Sequence, residues 1–253
     1  MTFPAALVKA PFAHRGFHDL NAGRPENSPA AFSAAVERGY AIELDVQLSS
    51  DGQAMVFHDY ALDRLTAESG PIQQRTAEAL AQIKLKGGTD TIQTLPQILS
   101  LIDGRVPLLV EIKDQDGAMG DAIGPLEVAT ARALHDYAGD VAVMSFNPHS
   151  VARMALLAPD LTRGIVTSAY RYADWPLSKA TCDHLREIPD YGRSGASFIS
   201  HEVDDLSRPR VADLRKTGAM VCCWTVRSTE IETTARQYAD NITFEGYDAV
   251  RPA

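Results

Sequence analysis

Cysteine is scarce in this 253-residue sequence: there are three, two of them adjacent as Cys222-Cys223 within an apolar run. An odd, clustered set excludes a disulfide framework and predicts reduced, buried thiols in a cytoplasmic protein. Positive charge is also in deficit, with 24 Lys and Arg against 33 Asp and Glu and a net charge of −9. That balance argues against nucleic acid or an anionic membrane as a partner, so no stable membrane association is expected. It leaves room for a small anionic substrate held by local cations. No apolar run approaches the length needed to cross a bilayer. The N-terminal MTFPAALVKAPF has no basic stretch followed by a long apolar one, so no signal peptide is expected. Neither a GxGxxG nor a Walker-type loop is present, which removes the usual dinucleotide and P-loop readings. There is no internal repeat and no low-complexity tract.

What is present fits a folded enzyme-sized unit. A hydrophobic fraction of 45% with 23% charged residues is that of a globular protein with a full core. The length exceeds an ordinary domain but suits an α/β barrel folded as one unit. Short β-rich runs end near Phe12-Ala13-His14 and cover Ile42 to Gln47, Leu108 to Lys113, Val141 to Phe146 and Gly164 to Thr167. Three more follow at Ser197 to Ser200, Met220 to Val226 and Ile242 to Phe244. Helical signals alternate with them. Ser28 and Pro29 open one that Gly39 ends, Asn147-Pro148 opens another, Ser207-Arg208-Pro209 a third and Ser228-Thr229 a fourth. Eight strands alternating with helices predict a (β/α)8 TIM barrel, with a doubly wound open sheet as the alternative. A single domain over 1–253 is expected. The polar segment from Tyr60 to Leu95 is read as a small insertion at the barrel mouth after the second strand.

In a barrel the outward strand face must be apolar, as Ile42, Leu44, Val46 and Leu48 are. Glu43 and Asp45 then project together toward the interior or mouth. Leu108 to Lys113 repeats the pattern, with Glu111 and Lys113 facing in. Three converging carboxylates repel one another, and a divalent cation is the simplest remedy; all-oxygen donors favour Mg2+ or Ca2+. The competing explanation is an edge strand with a solvated acidic face. His14 and His58 each follow an apolar run, where a barrel strand delivers a side chain to the active face, and imidazole suits proton transfer near neutral pH. His18 is a near neighbour of the site, and the other histidines are given no role.

The ordered strings HRG, PEN, ELDVQLSSDG, FHD, LDRLT and VEIK, running from His14 to Lys113, resemble the glycerophosphodiester phosphodiesterase family. The likeness continues thinly through Ser145-Phe146 and Trp224-Thr225-Val226. It implies a barrel with an insertion after the second strand, a divalent metal, and hydrolysis of glycerophosphodiesters to glycerol 3-phosphate and an alcohol. By motif, Glu43, Asp45 and Glu111 look like metal ligands, and His14 and His58 like a general acid/base pair. Arg15 and Lys113 look like phosphate-binding residues, and Trp224 like a wall of the substrate pocket. Glu26 and Asn27 match the PEN motif, in a supporting role at most. The chain departs from the family at Arg227, where Asn is usual, and at Thr243-Phe244-Glu245-Gly246, which replaces a Thr-Asp signature. Both departures are expected to lie outside the catalytic core. The rival readings are a lysophospholipase D-like or phosphatidylinositol-cleaving phosphodiesterase, a non-catalytic phosphodiester-binding relative, and a metal-dependent aldolase or lyase barrel. Because Thr66 to Thr94 offers only a few apolar side chains, the expected substrates are small, water-soluble phosphodiesters. Tyr170, Tyr172 and Trp175 form an aromatic group expected to pack the barrel rim or contact the alcohol, with an acyl groove as the alternative.

Overall fold

In a computed structural model of the chain, which describes residues 4–251, the expected strands pair into one closed sheet. Strands β1 (Phe12–Ala13), β2 (Ala41–Leu48), β3 (Ala54–Val56) and β4 (Gln93–Thr94) come first. They are followed by β5 (Leu108–Ile112), β6 (Val141–Ser145), β7 (Thr162–Thr167), β8 (Phe198–Glu202), β9 (Met220–Val226) and β10 (Asn241–Phe244). Parallel pairing runs β1–β2–β5–β6–β7–β8–β9–β10, and β1 also pairs with β10, so the sheet has no free parallel edge. That closure makes a (β/α)8 barrel and removes the open-sheet alternative. Residues 1–3 and 252–253, the ends of the expected 1–253 domain, lie outside the described residues.

The helices are α1 (Ala6–Lys9), α2 (Pro29–Arg38), α3 (Ala77–Leu80), α4 (Leu95–Ile102), α5 (Pro125–Leu134), α6 (Pro148–Leu157), α7 (Lys179–Arg186), α8 (Pro209–Lys216) and α9 (Thr229–Ala235). Local chemistry sets their ends. The Ser28 hydroxyl accepts the Ala31 N–H at the start of α2, Pro29 supplies a preset first turn, and Gly39 closes it at φ +68°. Asn147 and Pro148 open α6 in the same way, the Asn side chain accepting from the His149 N–H.

Two apolar layers hold the barrel. Ile42, Leu44, Val46, Val110, Ile112 and Val143 face outward under the helices. Phe12, Ala41, Leu109, Ala142, Met144, Val166, Phe198 and Cys222 fill the lumen. Beneath them α1 closes the N-terminal end: Leu7 is fully buried in the lumen cluster, and the Asn241 amide donates to Leu7 and Ala10 carbonyls at 2.8 and 2.8 Å. All three cysteines are free and buried.

One element differs from expectation. The run that ends at His58 is not a barrel strand: β3 turns back antiparallel on β2, with Val46 opposite Val56 and Leu48 opposite Ala54. The hairpin therefore climbs above the barrel and descends again, and the Phe57 N–H donates to the Asp45 carbonyl at 3.1 Å. His58 reaches the active face from above. Met55 and Phe57 anchor a small separate cluster with Leu62, Ile72, Leu80, Leu85 and Ile92, within which the helical content is the single turn α3 and a 3₁₀ turn at Ile72–Gln74.

The HRG turn locks the first strand end to α2. Gly16 sits at φ +80°, and a Cβ there would lie 2.9 Å from Ala31 carbonyl carbon and from the Phe32 ring. Gly16→Ala combines left-handed strain with overpacking, so a loss of about 2–4 kcal/mol in unfolding free energy is expected from denaturant titration. An unchanged midpoint would show that α2 yields freely at this contact.

Candidate active site

The carboxylates converge because β2 and β5 are neighbours in register: Asp45 lies opposite Glu111, and Glu43 points into the same lumen two residues earlier. Ligand oxygens of Glu43, Asp45 and Glu111 all lie within 4.8 Å of one another, and all three residues are buried. Their charge is met unevenly. Lys113 Nζ stands 2.7 Å from Asp45 Oδ1 and 2.6 Å from Glu111 Oε1. Asp45 also accepts from the Asn27 amide at 2.8 Å and has Arg15 Nε at 3.4 Å. Glu43 accepts one bond, from the Arg15 N–H at 3.0 Å, which the left-handed backbone of Arg15 (φ +56°) aims at it.

The ionisation follows from those contacts. Burial alone would raise Asp45, but Lys113, His58 and Arg15 outweigh it and hold the carboxyl far below its usual range. Glu43 is pushed well above its usual range by burial, then by the repulsion of Asp45 and Glu111. Lys113 is raised despite burial, because Asp45 and Glu111 favour its charge. Three buried oxygen donors with one carboxylate short of positive charge fit a divalent cation, so the residues present suit the metal that the fold family implies.

Both histidines are held in the same manner. His14 Nδ1 lies 2.5 Å from Glu245 Oε2, and Arg227 Nε donates to the other Glu245 oxygen at 2.8 Å. His58 Nδ1 lies 2.6 Å from Asp59 Oδ1, and Arg64 grips Asp59 through two nitrogens at 2.7 and 2.7 Å. Arg64 also donates to Glu26 at 2.8 and 2.9 Å, and Glu26 accepts from Arg15 at 2.6 Å. The PEN, FHD and LDR motifs are thus one bonded network. Burial lowers His14 against the opposing pull of its Glu245 bond. Glu245 would be raised by burial but is held far below its usual range by its bonds to His14 and His18.

His14, Arg15, Glu43, His58, Glu111, Lys113 and Trp224, all expected at the site, line one cavity of 140 Å³, together with Arg227 and Thr243. Asp45 lies beneath it, 1% exposed. Two expectations gain detail. Arg227 lines this cavity and is joined to His14 through Glu245: Arg227 pairs with Glu245, and Glu245 pairs with His14. The sequence pointed away from them because each was read as a departure, without the strand register that joins them. Arg15 and Lys113 are engaged with carboxylates here, so their positive field reaches the cavity from ion pairs. Glu26 and Asn27 do support the site, through Arg15 and Asp45.

A second, more apolar lobe of 290 Å³ shares His58, Glu111, Lys113 and Phe146 with the first and adds Tyr60, Met119 and Trp175. The Trp175 ring packs on Phe146 at 5.0 Å and on Tyr170 at 4.9 Å, and Phe146 meets Trp224 edge-on at 5.5 Å. Tyr172 departs from this group: it is 46% exposed, and its hydroxyl donates to Asp183. Asp114 braces the Met119 loop by accepting the Gly117 and Met119 N–H groups and the Asn147 amide.

Comparison with known proteins agrees with this arrangement. Residues 14–244 match the family model described as the glycerophosphoryl diester phosphodiesterase family. The chain is 33% identical over 240 residues to a glycerophosphodiester phosphodiesterase of Caldanaerobacter subterraneus subsp. tengcongensis, covering 91% of each. It superposes on an Oleispira antarctica phosphodiesterase in complex with the product sn-glycerol-3-phosphate with a TM-score of 0.76 at 22% identity, covering 93% of this chain and 92% of that one. A glycerophosphodiester phosphodiesterase of Thermotoga maritima gives 0.70 at 20% identity, covering 92% of each chain. The chain belongs to the glycerophosphoryl diester phosphodiesterase family and is a phosphoric diester hydrolase.

Proposed function

We propose that the chain hydrolyses small, deacylated glycerophosphodiesters to glycerol 3-phosphate and a free alcohol. A divalent cation, Mg2+ or Ca2+, is held by Glu43, Asp45 and Glu111, and His14 and His58 move the protons. One observation carries this reading: three buried carboxylates and two carboxylate-anchored histidines face a single cavity. The product bound to the Oleispira antarctica protein, sn-glycerol-3-phosphate, supports the same substrate class.

A cation bound by the three carboxylates supplies Lewis-acid stabilisation of the charge that builds on the phosphoryl oxygens. The protein does the rest. Arg15 and Lys113 add positive field at that position. With Nδ1 of each histidine bonded to a carboxylate, Nε2 is the nitrogen free for the substrate. One histidine takes the proton of the nucleophile and the other gives a proton to the leaving alkoxide; the nucleophile is water, or the glycerol 2-hydroxyl, in which case a cyclic phosphate forms first and water then opens it to glycerol 3-phosphate. Each such transfer is worth about 10²–10⁴-fold. Trp224 walls the cavity, and the apolar lobe receives the alcohol. The three free, buried thiols suit a reducing compartment, and we place the enzyme in the cytoplasm.

A second reading, cleavage of lysophospholipids, draws on that apolar lobe. Against it, the apolar side chains of the segment beside the site, Ile72, Leu80, Leu85 and Ile92 among them, are buried in their own cluster and are not presented to a lipid surface. The expected ratio of kcat/KM for glycerophosphocholine over lysophosphatidylcholine is therefore at least about tenfold. A preference for the lipid would assign the lobe to an acyl chain.

Metal dependence separates the carboxylates. Chelation should abolish turnover, and activity that survives complete metal depletion would refute the cation site. Glu43→Gln should abolish turnover yet raise the melting temperature of the metal-free protein, because it removes the carboxylate that lacks a cationic side-chain partner. Asp45→Asn should abolish turnover and cost about 3 kcal/mol of stability, because Lys113 and Arg15 each lose the more deeply buried of the two carboxylates they meet. The opposite ordering of the two melting temperatures would overturn this account of the charges.

His14→Ala and His58→Ala should each reduce kcat by about 10³-fold or more while leaving metal affinity, read by calorimetry, within a few-fold of the parent. Loss of the metal in either variant would make that histidine a ligand.

A further inference from the structure

His14, Glu245 and Arg227 come from three adjacent staves of the barrel, and each is the residue immediately after its strand: β1 ends at Ala13, β10 at Phe244 and β9 at Val226. Backbone bonds tie the three ends together. The His14 N–H donates to the Phe244 carbonyl at 2.9 Å, and the Glu245 N–H donates to the Val226 carbonyl at 3.0 Å. The side chains repeat the connection one layer further up, Arg227 Nε to Glu245 Oε1 at 2.8 Å and Glu245 Oε2 to His14 Nδ1 at 2.5 Å.

We propose that Glu245, held by Arg227, is the positioning residue of His14, fixing the imidazole with its proton on Nδ1 and the Nε2 lone pair toward the phosphodiester. The inference rests on the proposed role of His14 in proton transfer and adds to it the pair that makes the ring competent. A carboxylate at one ring nitrogen decides which tautomer is present and which way the ring faces. Here Nε2 is directed at the carboxylate cluster, 4.0 Å from Glu43 Oε2. When His14 gains a second proton, the resulting cation is stabilised at Nδ1 by the same carboxylate.

Arg227 has a distinct task. His18 Nε2 approaches the same Glu245 oxygen at 3.6 Å and competes for it. By occupying the other oxygen, Arg227 holds the carboxylate plane in the orientation that serves His14. Its side chain is 62% exposed, so its own effect on His14 is smaller than that of Glu245 and reaches the ring through Glu245.

The pairing also accounts for two departures from the family pattern at once. Arg227 stands where Asn is usual, and Glu245 falls within the segment that replaces the Thr-Asp signature. In this chain the two are bonded to each other, so they operate as one unit.

Steady-state kinetics on glycerophosphoethanolamine test the unit with Glu245→Ala, Glu245→Gln, Arg227→Ala and the Glu245→Ala/Arg227→Ala double variant. Glu245→Ala should lower kcat about 100-fold with KM within about threefold of the parent. Glu245→Gln keeps an acceptor oxygen at Nδ1 and should recover about tenfold of that loss. Arg227→Ala should lower kcat about fivefold alone and have no further effect in the Glu245→Ala background, the non-additivity expected of a chain of contacts. A readout independent of turnover is the ring ¹⁵N spectrum at pH 8, with His14 assigned by its disappearance in His14→Ala. The parent should show the Nδ1–H tautomer, and Glu245→Ala should shift it toward Nε2–H.

If His14→Ala retains full activity, the proposed function fails. If His14→Ala is inactive while Glu245→Ala and Glu245→Gln keep parental kcat and the Nδ1–H tautomer, the positioning role fails and the function stands. Should Glu245→Ala not fold, Glu245→Gln and Arg227→Ala decide: a fall in kcat at constant KM supports the role, and unchanged kcat in both overturns it.

Discussion

Glu43, Asp45 and Glu111 share a buried volume where like charges repel with little solvent to screen them, and the side chains around them are arranged against that cost. Lys113 answers two of the three, and Asn27 and Arg15 complete the shell of Asp45. Glu43 is the least compensated: it accepts the Arg15 N–H and has His14 Nε2 at 4.0 Å, while burial and the repulsion of Asp45 and Glu111 outweigh the pull of Arg15 and Lys113. The imbalance is chemically useful. A cluster fully neutralised by lysine and arginine would have no reason to take a cation, and one with no positive neighbours would be difficult to fold empty. Lys113 lets the chain fold, and Glu43 keeps a demand for one more positive charge.

The same logic extends to the histidines. Each catalytic candidate is anchored through Nδ1 to a carboxylate, and each of those carboxylates is anchored to an arginine. The two assemblies arise from different parts of the fold. Arg227, Glu245 and His14 stand on consecutive strand ends, fixed by the barrel's own hydrogen bonds. His58, Asp59 and Arg64 ride on the segment that follows the β2–β3 hairpin, supported by their own small apolar cluster around Met55 and Phe57. Arg64 joins that segment to the barrel by bridging Asp59 to Glu26. One side of the site therefore inherits its rigidity from the sheet, and the other from an ion-pair clamp.

Most of this was legible in the sequence wherever the signal was local. All eight barrel strands were readable because a stave buried on both faces reads as a short apolar run with turn or helix signals at each end, and β2 and β5 betrayed their lumen faces by inserting acids into such runs. The caps of α2, α6 and α9 were readable from Ser28-Pro29, Asn147-Pro148 and Ser228. What stayed hidden depended on pairing between distant segments. His58 looked like the end of a barrel strand because Met55-Val56-Phe57 has the composition of one, and only its antiparallel register on β2 shows otherwise. Glu245 and Arg227, 18 residues apart, meet because a register shift between β9 and β10 sets Phe244 opposite Val226, which no local pattern encodes. Lys113 looks like a phosphate-binding residue from its motif, and its position on the lumen face gives no hint that Asp45 and Glu111 both lie within reach.

The division between strand ends and loops also explains how reaction class and substrate choice come apart in this molecule. Every group assigned to metal binding or proton transfer, except His58, sits on a barrel strand or within one residue of its end, where a shift would break sheet hydrogen bonds. The alcohol lobe is built differently. Phe146 is the one aromatic in its wall that follows directly on a stave; Tyr60, Met119 and Trp175 come from connections. Asp114, itself at the edge of the lobe, fixes the Met119 loop by accepting four hydrogen bonds, from Asp116, Gly117, Met119 and Asn147. Substitution at Tyr60, Met119 or Trp175 can reshape what the lobe accepts without moving a carboxylate, because none of them bonds to the cluster. His58 joins the two systems, alongside Glu111, Lys113 and Phe146. It lines both cavities and is carried by a loop yet clamped like a strand residue. Under the proposed function, chemistry at the phosphoryl group and recognition of the alcohol are coupled through bonded routes that tie His58 to the insertion: the Asp59–Arg64–Glu26 clamp, and the chain from Gln73 through Gln115 to Gln47, whose amide donates to the His58 carbonyl.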